Sequence, residues 1–280
     1  MNEWKITTGQ MISTILDVSK NAGAAMDQLE RCASVGSSLL VLPELFLTGY
    51  DIRDKIQKSS ERSHLKHDID ASLSLIMNKT AKYKVDILIS YPLFDDDTDK
   101  PYIALDYISE GHVSARHKKI NLCNYAQYTE HLVFQAGDSV TVADTRHGKA
   151  GMFVCEDLWH MTNAIFAAKL GAGVLFYPSA ATTLDKDDAA GCLDNWKKLT
   201  VGTAFSQTSY VVCCNQAASG DSLYFGGSHV VDPNGDIILE MPLFNESVAD
   251  ITLDMDYLED IRKKRPLLKN ERFAVYKNYI

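Results

Sequence analysis

Three observations predict an α/β fold of two sheets with helices on their outer faces. Strand-like and helix-like stretches alternate along most of the 280 residues. Hairpin signals imply antiparallel pairing, against a purely parallel doubly wound sheet. No repeat, low-complexity tract or Gly/Ser linker divides the chain, so one domain over residues 1–280 fits better than separate modules. With 46% hydrophobic residues, a chain of this length can bury a sizeable core.

Ala22, Met26, Leu29 and Ala33 recur at helical spacing and predict a helix before the apolar strand Ser38 to Pro43. Val85 to Tyr91 reads as a buried strand, and Asp95 to Lys100 as a short acidic loop. Ile103 to Ile108 and His112 to Arg116 flank Ser109-Glu110-Gly111, a hairpin signal. A strand is predicted over Ala150 to Val154, then an amphipathic helix over Glu156 to Leu170 closed by Gly171. A strand at Gly173 to Pro178, a helix around Asn195 to Gln207 and a strand at Tyr210 to Asn215 follow. Asp232-Pro233-Asn234-Gly235 is a turn between Ser228 to Val231 and Asp236 to Glu240, and Ser247 to Thr252 has room for a last strand. The tail from Tyr257 is charged, with Arg262-Lys263-Lys264-Arg265 before Pro266.

A net charge of −9 argues against nucleic acid or an anionic membrane as the main partner, since both select basic faces. Met1 to Lys20 has no apolar signal-peptide core, and the apolar runs are too short to span a bilayer; a cytoplasmic protein is the expectation. The six cysteines include no C-x-x-C pair, which sets zinc-ribbon and thioredoxin-like chemistry aside. Adjacent Cys213 and Cys214 should face opposite sides of a strand, as free buried thiols. There is no P-loop, no G-x-G-x-x-G after a strand, no G-x-S-x-G elbow and no His-x-x-x-His zinc helix. Most of the eight histidines read as surface residues or supports behind a site.

Three short segments remain. Pro43-Glu44-Leu45-Phe46-Leu47-Thr48-Gly49-Tyr50 puts a carboxylate at the C-terminal end of a strand, where α/β folds place reactive groups. Lys118-Lys119-Ile120-Asn121-Leu122 follows the hairpin. Gly151-Met152-Phe153-Val154-Cys155-Glu156-Asp157-Leu158-Trp159 puts a cysteine at a strand-to-helix junction, where a helix N-terminus favours the thiolate. Each alone reads as an ordinary loop acid, surface charge or structural thiol. Together, in the order Glu, Lys, Cys, they resemble the P-E-x-x-x-x-G-Y, K-x-x-L and C-E-D signatures of the nitrilase superfamily. Gln10, Asn21 and Gly226-Gly227-Ser228 also match in place, over roughly residues 5 to 275.

The run Lys119-Ile120-Asn121-Leu122-Cys123-Asn124-Tyr125, then Tyr128, Glu130 and Phe134, is most similar to the glutaminase domain of glutamine-dependent NAD synthetases. Asn215-Gln216, Asp221 and Phe225-Gly226-Gly227-Ser228 fit the same branch. That alignment selects Lys119 over Lys118. Two departures stand out: Cys123 replaces the family proline, and Ser179-Ala180-Ala181-Thr182 replaces a Ser-Ala-Ser-Pro loop. The S-G-G-x-D-S signature of the ATP-using half has only a partial echo at Ser219-Gly220-Asp221-Ser222, so a synthetase domain is not expected.

The resemblance implies a four-layer α-β-β-α sandwich of two mixed sheets. It implies Cys155 as nucleophile, Lys119 with the Glu156 N–H facing the oxyanion, Glu44 as general base and Glu130 orienting Lys119 and Glu44. Tyr50, Tyr125, Glu156 and Ser179 fall on substrate-pocket positions. The implied reaction hydrolyses a small linear amide through a thioester, releasing ammonia, with no metal or organic cofactor. A glutaminase subunit feeding ammonia to a partner synthetase, an amide-forming acyltransferase and a catalytically silent scaffold are the alternatives. The family's face-to-face pairing implies a homo-oligomer, with the tail from about residue 257 at the interface.

Overall fold

The computed structural model describes residues 2–52, 56, 59–95, 98–126, 128–219 and 222–278. Asp96 and Asp97 of the acidic loop, and Gly220 and Asp221, lie outside the described residues. The first half of the chain runs β1 (Glu3–Gln10), α1 (Val18–Val35), β2 (Leu39–Val41), α2 (Ser59–Tyr83), β3 (Asp86–Leu93), β4 (Tyr102–Ser109) and β5 (His112–Lys118). It continues with β6 (Thr141–Thr145), β7 (Gly148–Met152), α3 (Met161–Lys169), β8 (Val174–Ser179), α4 (Ala189–Gln207) and β9 (Tyr210–Asn215). The last elements are β10 (His229–Val231), β11 (Ile237–Glu240), β12 (Ser247–Asp254), α5 (Met255–Lys264) and α6 (Leu267–Asn270).

The strands form two six-stranded sheets, ordered β12-β1-β2-β3-β4-β5 and β11-β10-β9-β8-β7-β6. Both follow one plan. Three parallel strands (β1, β2, β3; β7, β8, β9) lie in the middle and antiparallel strands flank them. The central strands are covered on both faces, which is why Leu39-Leu40-Val41 and Val174–Ser179 read as unbroken apolar runs rather than as alternation. The outer strand β5 alternates in burial, as a strand with one wet face must.

The inner faces of the sheets meet, with Trp4 edge-on to Phe176 at 5.7 Å between ring centroids. Helices α1 and α2 cover the first sheet, and α3 and α4 the second. Strand parity sorts the second sheet. Tyr210, Val212 and Cys214 join the core between the sheets, while Val211 and Cys213 pack under α3 and α4. The two thiols face opposite sides as expected, and Cys214 Sγ reaches the Gly9 and Val41 carbonyls of the first sheet at 3.5 and 3.4 Å. The layers are therefore α-β-β-α. The β4–β5 turn carries Glu110 and Gly111 at φ +50° and +86°, the left-handed pair a tight hairpin requires.

Several elements differ from the sequence reading, among them strand β6, which it did not include. The single helix expected over Glu156 to Leu170 is a 3₁₀ turn, Cys155–Trp159, followed by α3, with the break at His160. The Asp157 side chain turns back to the Val154 N–H, and its carbonyl takes the Asn163 amide, so the turns do not merge. Helix α4 starts at Ala189 rather than near Asn195, because the turn Lys186–Asp188, capped by Asp185, leads straight into it. Helix α2 was not anticipated: Leu65, Ile69, Leu73 and Ile76 keep helical spacing but are diluted by charges. The tail from Tyr257 begins inside α5. That helix buries Leu258 in the core between the sheets, and its Arg262 donates to the Ala172 carbonyl at 2.6 Å. Among the described residues no helix is long and apolar enough to cross a membrane.

Candidate active site

The C-terminal ends of β2, β5, β7 and β8 converge. Leaving β2, the chain turns at Leu45 (φ +50°), and Thr48 and Gly49 donate back to its carbonyl. That turn aims Glu44 inward, fully buried. Glu44 Oε2 accepts the Ala180 N–H at 3.0 Å beyond β8, and Oε1 accepts from Lys119 Nζ at 2.7 Å.

Lys119 follows β5. Its N–H donates to the Ile103 carbonyl and its carbonyl accepts from the Gly137 N–H at 2.7 Å, so its backbone is held on both sides. The neighbouring Lys118 points the other way, with its ammonium 3.2 Å from Asp95 and 3.9 Å from the centroid of the Tyr102 ring. Lys119 Nζ also donates to Glu130 Oε1 at 2.8 Å. Glu130 takes two further donors: the Tyr50 hydroxyl at 2.5 Å on Oε1 and the Cys123 N–H at 2.8 Å on Oε2.

Cys155 stands between β7 and the 3₁₀ turn at φ +48°, a left-handed conformation that costs a non-glycine residue about 1–3 kcal/mol. The sharp turn presents the thiol to Glu44 and Lys119, on which its titration depends. Burial and the Glu44 carboxylate push the thiol well above its usual range, with Lys119 opposing. Burial, partly offset by Lys119, pushes Glu44 up to about 7. Burial disfavours the Lys119 ammonium, but Glu44 and Glu130 outweigh that and hold it above its ordinary range. The resting cluster is therefore one cation facing two carboxyls and a protonated thiol.

Cys155 opens onto a cavity of about 170 Å³ whose lining includes Tyr50, Tyr125, Tyr128, Glu156, Trp159 and Trp196. Trp159 and Trp196 meet edge-to-face at 6.2 Å, and Tyr125 and Tyr128 at 6.4 Å. Tyr125 OH donates to Glu156 Oε2 at 2.8 Å, which aligns the one formally charged side chain in the lining; no Lys or Arg lines it among the described residues.

The structure thus brings together Glu44, Lys119, Glu130 and Cys155, and puts Tyr50, Tyr125 and Glu156 at the cavity. Ser179 is a correction. It is fully buried, its hydroxyl donates to the Tyr177 carbonyl, and it does not line the cavity. Tyr177, of the same strand parity, packs under the outer helices, and the wall here is Ala180, Ala181 and Thr182 instead. Sequence reasoning missed Trp196, Asn195 and Cys192, which α4 brings to the cavity from about forty positions beyond Cys155. Nothing local in the sequence marks them.

The sequence profile of the family described as "Carbon-nitrogen hydrolase" matches residues 5–263. Omega-amidase NIT3 of Saccharomyces cerevisiae is 30% identical, over 99% of this chain and 98% of that protein. The crystal structure of Saccharomyces cerevisiae Nit3, a member of branch 10 of the nitrilase superfamily, superposes on this chain with a TM-score of 0.78 at 26% identity, over 95% of each chain. A glutamine-dependent NAD(+) synthetase of Thermotoga maritima is 28% identical over 98% of this chain, which spans only 47% of that protein.

Proposed function

The chain belongs to the carbon-nitrogen hydrolase family, and on that premise we propose that it hydrolyses small linear amides through a thioester on Cys155. The observation that carries this reading is the buried Glu44–Lys119–Glu130 cluster against a strained cysteine at an aromatic-lined cavity. An amide carbon is a weak electrophile, so the nucleophile must be activated and the oxyanion stabilised.

Cys155 Sγ attacks the carbonyl carbon while Glu44 takes the thiol proton. The carbonyl oxygen gains the negative charge and faces the Lys119 ammonium and the Glu156 N–H, which lies in the first turn of a helix and so lacks an intrahelical partner. The intermediate collapses by breaking its C–N bond, Glu44 returns the proton to the leaving nitrogen, and ammonia departs. Glu44 then takes a proton from water as the hydroxyl adds to the thioester, and Cys155 leaves as a thiol with the acid released. One carboxyl serves both half-reactions because it titrates near 7, close to its working pH. Glu130 holds Lys119 in place, accepting from its ammonium.

The cavity also bears on the substrate. Two tryptophans, three tyrosines and the Glu156 carboxylate suit an amide whose far end is cationic, and they disfavour a free carboxylate there. Ammonia release from 4-aminobutanamide, butanamide and succinamic acid tests this at matched length. The expected order of kcat/KM is amine, then neutral, then acid; preference for succinamic acid contradicts the reading.

Assembly and location belong to the same proposal. The basic run after Leu258 and the half-exposed Leu267 suit a contact with a second copy in a homo-oligomer, which light scattering tests. A single domain and a cytoplasmic setting remain the working assignment. Full-length similarity to an omega-amidase favours hydrolysis over an acyltransferase, a scaffold or a subunit that needs a synthetase partner.

A further inference from the structure

One buried carboxylate ties the nucleophile turn to the lysine loop. Asp157 Oδ2 accepts the Val154 N–H at 3.1 Å, just before Cys155, and lies 3.0 Å from His117 Nε2. Its other oxygen, Oδ1, accepts the Asn121 N–H at 2.8 Å. His117 and Asn121 stand two residues before and two residues after Lys119, so a single side chain grips both flanks of the lysine and the backbone preceding the thiol. Asn163 closes the group, its amide donating to Asn121 Oδ1 and to the Asp157 carbonyl.

His117 is fully buried. A carboxylate only accepts, so Nε2 carries the proton, and Nδ1 faces the Thr141 hydroxyl at 3.2 Å. Phe153 packs edge-on against the imidazole at 5.7 Å. The ring therefore has one orientation, and with it the carboxylate it braces. None of these groups lines the cavity, so neither Asp157 nor His117 touches substrate.

We propose that Asp157, braced by His117, is a positioning residue that fixes the Lys119 ammonium against the Cys155 thiol. The physical reason is that an oxyanion site works only when its charge is already in place. A misplacement of about 1 Å costs about a hundredfold in rate. Lys119 sits on a loop and Cys155 on a strained turn, and the two belong to different sheets. Glu44 and Glu130 hold the lysine head, and Asp157 joins residues on both sides of Lys119, the His117 ring and the Asn121 N–H, to the nucleophile turn.

The inference rests on reading Cys155 as the nucleophile, and its test separates the two. Iodoacetamide alkylates a thiol by displacement of iodide, so intact-mass analysis reads Cys155 reactivity without knowing the natural substrate. Rates against pH are compared for the wild type, Asp157→Asn, His117→Leu and His117→Gln, alongside melting temperature. In Asp157→Asn the amide nitrogen cannot accept, so alkylation of Cys155 slows at least tenfold. The thiol faces Glu44, Lys119 and Glu130. Losing Lys119 from its side moves the pH midpoint up, whereas mere removal of a nearby negative charge moves it down. His117→Leu repeats the slowing, while His117→Gln, which keeps an N–H donor, stays within about threefold of wild type.

Variants that melt lower yet alkylate at the wild-type rate and midpoint overturn the proposal, as does a downward midpoint. If Asp157→Asn does not fold, the Leu and Gln pair at His117 decides: equal rates refute the brace. If wild-type Cys155 is no more reactive than the other five cysteines, it is the nucleophile reading that fails instead.

Discussion

Lys119 Nζ donates to Glu44 Oε1 at 2.7 Å with neither side chain exposed to solvent. Such a pair is costly to desolvate and costlier to break, because removing one partner strands the other. Lys119→Met leaves Glu44 and Glu130 facing each other without a cation. Unfolding stability in urea should drop by roughly 3–5 kcal/mol, and amide hydrolysis by about 10²–10³ as the oxyanion loses its charge. A variant with wild-type stability and rate contradicts the assignment.

The raised Glu44 pKa has opposite effects on stability and activity. The folded state holds the proton up to about pH 7, above the ordinary 4.5. The stability this contributes is complete below the ordinary value and is lost as pH rises through 7. Activity needs the ionised base, so kcat/KM rises through the same interval and levels above it. Glu44→Gln should remove nearly all activity and flatten the stability change between those pH values. Urea midpoints and rates across the range check both.

Gly137 has no room for a methyl group. A Cβ there would lie 2.2 Å from the Lys118 carbonyl oxygen, backbone that moves only by shifting Lys119 as well. Gly137→Ala should cost about 1–3 kcal/mol from overpacking and reduce activity more than stability alone explains. Gly23→Ala is the control, since nothing lies within 4 Å of its added Cβ inside α1. It should stabilise by about 0.5–1 kcal/mol and leave the rate unchanged.

Glu156→Gln tests the charge of the cavity. The side chain keeps its place beside the Tyr125 hydroxyl but loses its charge. The kcat/KM for 4-aminobutanamide should fall about tenfold, the loss of about 1.4 kcal/mol for one exposed-to-partly-buried ion pair, with butanamide little affected. Equal losses on both amides would assign Glu156 to backbone geometry rather than to recognition.

What the sequence discloses follows from range of interaction. The convergence of Glu44, Lys119 and Cys155, the proposed site, was legible because each sits in a short motif beside a strand end. Glu130 and Tyr50 came with the resemblance, and in the structure Tyr50 and Lys119 donate to the same Glu130 oxygen. The split after Cys155 was hidden because a helix-favouring run is interrupted by one carboxylate turning back on the chain, a tertiary effect that periodicity does not register. Ser179 stops one residue short of the Ala180–Thr182 wall, its hydroxyl turned back to the Tyr177 carbonyl. Trp196 arrives from α4, and His117 acts from inside a strand whose exposed alternation gave no hint of it.

The central claim is that Cys155 carries the acyl group of an amide. The direct measurement mixes the protein with 4-aminobutanamide, follows ammonia, and quenches aliquots in acid for intact mass. Wild type should release ammonia and show an adduct equal to the amide less ammonia, localised to Cys155, and Cys155→Ala should show neither. Ammonia release that survives Cys155→Ala, or turnover with the adduct on another residue, would contradict the account.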